Sequence, residues 1–258
     1  MTKVNGTNAG AAAQIEAKSS YDYYHYRGEA YAKKGDFKRA IADFSEAIRL
    51  NPSLAHVYHD RGLVYYEKGD YNSAIADFNE AIRLRPNYSS GYNYRGFLFF
   101  KKGDYDRAIA DFNEAIRIEP NYSSAYKSRG DAYYRKSDYE RAIADFNEAI
   151  QLNPHNPVAY NNRGDAYYRQ GDYNRAISDF NDAIRLNPNY SSAFNNRGDA
   201  YFKKGGFGRA IMDYNEAIRI NPNYAKAYHN RGLAYQERGE LSMAHEDFER
   251  AQNLGFKQ

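Results

Sequence analysis

Cysteine and tryptophan are absent from the 258 residues, and proline and methionine number only seven and three. Without cysteine there is no disulfide framework, no thiol nucleophile and no thiolate metal site, which fits a reducing compartment. No apolar run approaches the roughly 20 residues that cross a bilayer. Residues 1–20, with one early Lys3 and an alanine-rich patch, are too weakly apolar for a secretory signal. A cytoplasmic location is therefore expected. Phosphate-binding glycine loops and nucleophile elbows are missing too, and with them the usual marks of an enzyme. A large charge excess is also lacking: 36 Lys and Arg face 33 Asp and Glu. That balance is not the footprint of a dedicated nucleic-acid binder.

What is present is a period. Arg27-Gly28, Arg61-Gly62, Arg95-Gly96, Arg129-Gly130, Arg163-Gly164, Arg197-Gly198 and Arg231-Gly232 follow one another every 34 residues, the signature of a repeat array. With this Gly at position 8, the repeats run 21–54, 55–88, 89–122, 123–156, 157–190, 191–224 and 225–258. Within 157–190, Asn156-Pro157 opens a helix, since the amide can cap free N–H groups and proline's missing donor costs nothing at the first helical position. Tyr160, Arg163, Gly164 and Tyr167 then form an i, i+3, i+4, i+7 stripe. Gly171-Asp172 ends that helix and caps a second, which carries Tyr173, Ala176, Ile177, Phe180, Ala183, Ile184 and Leu186 until Pro188 stops it. Each unit therefore reads as a helical hairpin, and seven of them as one array in which each contacts its neighbours.

Glycine inside a helix costs about 1 kcal/mol against alanine, so its sevenfold use at position 8 predicts close approach of two helices. Alanines at positions 20 and 27 supply the matching small surface, and aromatics at positions 4 and 24 are expected to form the core. Small residues at 8, 20 and 27, aromatics at 4, 11, 17 and 24, and Pro at 32 together resemble the tetratricopeptide repeat, over residues 21–258. The resemblance implies an all-α fold, a right-handed α-solenoid whose first helices line a concave groove, and a non-catalytic protein-protein interaction scaffold that binds a peptide segment there. One departure is systematic: where the family often has Leu at position 7, every unit has Arg, and every unit has Asp at position 23. An ion pair between the two helices of each unit is expected.

Residues 1–20 are read as disordered to about Ala11, then helical over Ala11–Lys18, with Ser19 and Asp22 resembling a capping box that opens the first repeat. At the other end, His245 and Gln252 replace the isoleucines that positions 21 and 28 carry elsewhere. With Glu246, Glu249 and Arg250 they suggest a polar capping helix that ends the array. Gly206 replaces the Asp cap and Gly208 enters the second helix, so a soft spot is expected at 205–209.

With 4, 7, 8 and 11 facing the core, positions 2, 5, 6, 9, 12 and 13 fall on the opposite face of the first helix. The candidate groove is His25, His59, Tyr66, Asn93, Phe97 and Phe100 in the first three repeats. In the later ones it is Lys127, Asp131, Tyr134, Asn161, Asn162, Asp165, Tyr168, Asn195, Asn196, Asp199, His229 and Asn230. It shifts from aromatic to polar along the chain. Asparagine both donates and accepts, so Asn162, Asn196 and Asn230 are expected to stand free of folding duty and pair with an extended peptide backbone. This is similar to asparagine ladders of some peptide-binding family members. The family's carboxylate clamp is matched only in part by Lys127, Asp131, Asn162, Ser192 and Asn196, and Asp131 would repel a terminal carboxylate. The position-9 aspartates favour a polar or basic segment instead.

Other motifs fail on placement. Arg-Gly-Asp at 129–131, 163–165 and 197–199 lies inside helices, with its Gly on the core face. The glycosylation patterns at Asn5, Asn87, Asn121 and Asn189 read as tail or turn residues. His56 and His59 stand one turn apart, with His25 a repeat earlier, but no acidic zinc-protease motif accompanies them, so no metal or cofactor is expected. Two alternatives to peptide binding stay open. One is a self-assembling homo-oligomer. The other is single-stranded RNA stacked on Tyr66, Phe100, Tyr134, Tyr168 and Phe202, disfavoured by the aspartates on that face. The partner itself is not legible.

Overall fold

In a computed structural model, the backbone is described for residues 7–256 and the side chains for residues 20–256. Two compact units divide the chain, Met1–Pro120 and Asn121–Gln258. The first pairs α1 (Thr7–Lys33) with α2 (Phe37–Leu50), α3 (Ala55–Glu67) with α4 (Tyr71–Leu84), and α5 (Ser89–Lys101) with α6 (Tyr105–Ile118). The second pairs α7 (Ser123–Arg135) with α8 (Tyr139–Leu152), α9 (Pro157–Arg169) with α10 (Tyr173–Leu186), α11 (Ser191–Lys203) with α12 (Phe207–Ile220), and α13 (Ala225–Glu237) with α14 (Leu241–Asn253). No strand occurs among the described residues. Within each unit every helix packs on the next, so each is a stack of helical hairpins, the all-α solenoid arrangement.

The amino end differs from expectation. α1 begins at Thr7 and runs unbroken through Ser19 and Asp22, so no helix starts there. Good helix formers fill Ala11–Lys18 and no proline interrupts them, so continuing the helix costs less than restarting it. Expected disorder over residues 1–6, and the Asn5 glycosylation pattern, lie outside the described residues.

Hairpin turns follow the sequence punctuation. Gly171 takes φ +83°, which ends the first helix, and the Asp172 side chain then accepts the Arg175 N–H at the start of the second. Asp36, Asp70, Asp104 and Asp138 cap their helices in the same way. Gly206 does not: α12 starts with no side-chain cap bond, as the weak punctuation there predicts. Replacing Gly206 with Asp should stabilise the chain by about 1 kcal/mol. The backbone there (φ −83°, ψ 53°) is near that of Asp172 (φ −84°, ψ 75°), and the Tyr201 carbonyl oxygen, 3.3 Å from an added Cβ, has only to yield slightly. A higher urea midpoint at constant slope is the expected result; an unchanged midpoint rejects the cap argument.

The core is narrower in composition than expected. Phe44, Phe78, Phe112, Phe146, Phe180 and Tyr214 at position 24 are at most 1 % exposed, and the alanines at 20 and 27 lie against them. The position-4 tyrosines are only half-buried, a correction to their core assignment. Arg163 explains why, since its guanidinium lies 5.6 Å from the Tyr160 ring centre and keeps that side of the ring polar. Positions 3 and 10 were not anticipated at all. Val57 and Val64 join Phe44 in one cluster, Ala200 joins Ala176 and Phe180 in another, and Ala227 packs with Ala217. These residues meet the preceding hairpin.

The position-7 arginines are paired in all seven repeats. Arg163 donates Nε–H and Nη2–H to the two Asp179 oxygens at 2.8 and 2.7 Å. The same fork joins Arg27 to Asp43, Arg61 to Asp77, Arg95 to Asp111, Arg129 to Asp145, Arg197 to Asp213 and Arg231 to Asp247. A further donor reaches the previous hairpin: Arg163 Nη1 to Asn147, Arg197 to Asn181 and Arg231 to Asn215 in the second unit. Arg61 reaches Ser45 and Arg95 reaches Asn79 in the first. One guanidinium thus ties three helices.

Candidate functional site

A first helix packs on its own partner, on the hairpin before it and on the first helix of the hairpin after it, and so buries a wider arc than a two-helix stripe predicts. Position 5 falls inside that arc. His25, His59, Asn161 and Asn195 are buried, so their placement in the groove is corrected. Lys127, Asn93 and His229 at the same position are half-buried. Asn93 Oδ1 and His59 Nε2 are buried without a hydrogen-bond partner.

In the first unit the remaining groove residues are aromatic. Tyr66 meets Phe97 edge-on at 5.8 Å and stacks on Tyr71 at 6.0 Å, while Phe100 leans on Tyr105 at 5.5 Å. Lys101 Nζ lies 5.2 Å from the Phe97 ring centre. His25 Nε2 and Asp60 Oδ2 stand 2.7 Å apart, joining the first helices of two consecutive hairpins.

In the second unit the polar rows bind one another. Asn162 donates to Asp131 at 2.8 Å, Asn196 to Asn161 at 3.2 Å, and Asn230 to Asp199 at 2.7 Å and Asn195 at 3.2 Å. The sequence-based expectation that Asn162, Asn196 and Asn230 stand free of folding duty is therefore corrected; their amides link neighbouring hairpins. The reason is spacing: position 6 of one repeat falls beside positions 5 and 9 of the one before. The partial carboxylate clamp is spent likewise, since Lys127 Nζ donates to Asp131 at 2.8 Å.

The three position-9 aspartates end in different states. Asp131 is neutralised by Lys127. Asp165 accepts the Tyr134 hydroxyl at 2.6 Å, and burial with that carboxylate pushes the phenol up to about 12. Asp199 is the most enclosed: it accepts from Tyr214 Oη at 2.8 Å, Asn230 at 2.7 Å, and Lys226 Nζ at 3.2 Å. Burial raises its carboxyl above the ordinary aspartate range, against the pull of Lys226. Burial and the Asp199 charge in turn push Tyr168 up to about 12. Tyr168, Asp199, Phe202, Lys203, Tyr214, Asn230 and Leu233 line a cavity of about 160 Å³ on this face. A larger recess of about 680 Å³ is built from turn residues such as Gln170, Asp172 and Lys204, and carries none of the groove residues. Sequence reading found Tyr168, Asp199, Phe202 and Asn230. It could have found Tyr214, because every other repeat but this one has Phe at position 24.

Among the described residues no helix is long and apolar enough to cross a membrane. A family profile described as TPR repeat matches residues 28–69, 62–103, 98–137, 130–171, 164–205 and 198–239, and one described as tetratricopeptide repeat matches 225–254. No curated protein matches the sequence. Among solved structures, a tetratricopeptide repeat protein from Parabacteroides merdae ATCC 43184 aligns with a TM-score of 0.74 at 22 % identity, covering 93 % of this chain and 95 % of that one. MamA aligns at 28 % identity with a TM-score of 0.57, over 62 % of this chain and 93 % of its own. YrrB, described as a TPR protein with an unusual peptide-binding site, aligns at 23 % identity with a TM-score of 0.61, over 72 % and 96 %.

Proposed function

The chain belongs to the tetratricopeptide repeat family, whose arrays are protein-protein interaction scaffolds, and from that premise we propose that it holds a segment of a partner protein against the first helices of its second unit, with a basic side chain seated at Asp199. The cavity at Asp199 carries this reading. Tyr168, Phe202 and Leu233 supply apolar and aromatic walls, and Asp199 supplies a carboxylate withdrawn from water. A lysine or arginine side chain suits both, since its stem packs on the rings while its head gains a charge-assisted hydrogen bond and a cation–π contact. The polar position-9 row favours the same class of ligand. The asparagine ladder is not part of this reading, because its amides are engaged between hairpins. The scaffold is proposed to be non-catalytic.

Single-stranded RNA is a weaker fit. Tyr134, Tyr168 and Phe202 already pack on Tyr139, Tyr173 and Phe207 at 5.3–5.5 Å, and Asp131, Asp165 and Asp199 stand on the same helices. Self-assembly is separated from peptide capture by molar mass across a concentration series.

Selection of a random peptide display library on the full chain tests the reading. Enriched peptides should share a Lys or Arg, and Asp199→Asn should weaken them by about tenfold. Asp131→Asn, which lies outside the residues lining the cavity, should leave them nearly unchanged. Acidic consensus peptides, or affinity indifferent to Asp199→Asn, would reject it.

A further inference from the structure

Four side chains in the first unit come together for a reason the peptide reading does not use. His25 and Glu29 are four residues apart on α1, and His56 and Asp60 are four apart on α3, so each pair lies on one helix face. Stacking the two hairpins brings the pairs against each other. The donor atoms of His25, Glu29 and Asp60 all lie within 4.8 Å of one another. His25 Nε2 is 2.7 Å from Asp60 Oδ2 and 4.0 Å from Glu29 Oε1. The His56 ring centre is 4.8 Å from that of His25. Ligands about 2.05 Å from a tetrahedral zinc stand roughly 3.3 Å apart, inside the range these donors span.

We propose that His25, Glu29 and Asp60 form the base of a site for one divalent transition-metal ion, bridging the first two hairpins, with the exposed ring of His56 turning in beside His25 as the fourth ligand. Two imidazoles with two carboxylates and no thiolate select borderline ions such as Zn²⁺ or Co²⁺ over soft ones. His25 is buried, Glu29 and Asp60 are half-buried and His56 is exposed, so the site has a rigid base and an open entry side. Asp60 is held in place from behind, its second oxygen 3.5 Å from the Nδ1 of buried His59. The proton that His25 Nε2 shares with Asp60 must leave as metal enters, to Nδ1 from the neutral ring or to solvent from the imidazolium. The only other close His-carboxylate pair off this cluster among the described ion pairs, His245 with Glu249 at 3.3 Å, offers two donors and is open to water.

The test is calorimetric titration of Zn²⁺ into the full chain freed of any affinity tag, with Co²⁺ followed in parallel by its visible absorption. One ion per chain is expected, with a tetrahedral cobalt spectrum. His25→Ala should abolish it, and Glu29→Gln and His56→Ala should each weaken it by at least about tenfold. Circular dichroism checks that His25→Ala folds; Glu29→Gln keeps the shape of a half-buried side chain, so it decides the matter if His25→Ala does not fold. Absence of stoichiometric binding, binding that survives Glu29→Gln and His56→Ala undiminished, or binding abolished by His245→Ala would overturn the assignment.

Discussion

Arg163→Leu should cost about 3–5 kcal/mol, because it strands a carboxylate in the core. Asp179 is 4 % exposed and has both oxygens bound by the Arg163 fork, and the same guanidinium holds Asn147 of the preceding hairpin. Burial already pushes the Asp179 carboxyl up, with Arg163 pulling against it; without Arg163 the upward push is opposed only by the weaker attraction of Arg175. The sign of the pH dependence follows. A carboxyl whose folded pKa lies above its unfolded value favours folding only when protonated, so the penalty is full at neutral pH and shrinks as pH falls through the raised folded value. Urea denaturation of Arg163→Leu at pH 7 and at pH 5 should therefore show a smaller deficit at the lower pH. The double variant Arg163→Leu/Asp179→Leu should be more stable than Arg163→Leu alone, since no charge is left buried. A deficit below about 1 kcal/mol, the range of exposed pairs, would show that the pair acts like a surface salt bridge.

Gly198→Ala should destabilise the chain by about 1–3 kcal/mol although alanine is the better helix former. Helix propensity alone predicts a gain of about 1 kcal/mol. Against it stands the ring of Tyr214, whose Cε1 and Cδ1 would lie 2.6 and 2.9 Å from the new Cβ. No real contact is that short, and the ring cannot swing away cheaply: Tyr214 is 1 % exposed and its hydroxyl is bound to Asp199 at 2.8 Å. Moving it would also disturb the cavity at Asp199. Gly208→Ala is the control, since nothing lies within 4 Å of a Cβ there and α12 should gain. A Gly198→Ala chain as stable as its parent would mean that Tyr214 repacks, and that close helix approach is not why this glycine is kept.

The sequence already carried the pairing of Arg at 7 with Asp at 23, because two residues recurring in step at every repeat are most simply partners. Groove positions were harder to read. A periodicity of one face on another assigns each helix a single buried stripe, and on that basis His25, His59, Asn161 and Asn195 fall outside. Val57, Leu98 and the alanines at positions 3 and 10 fall outside too, yet they are in the core. Contact with the previous hairpin buries positions 3 and 10, contact with the next buries position 5, and both repeat with the same period and so leave no separate mark.

What the sequence determined alone was the helical hairpin and its repetition: Gly and Pro at fixed places set the lengths of the helices, and Asp caps set their starts. Those are interactions within one 34-residue unit, and local chemistry decides them. Only the stacking of one unit on the next decided which polar side chains stay free. It bound Asn162, Asn196 and Asn230 to their neighbours, closed a cavity over Asp199, and set His25 beside Asp60, 35 residues away. Hydrogen bonds between such distant residues depend on how far each hairpin turns relative to the last, an angle set by packing and written in no single residue.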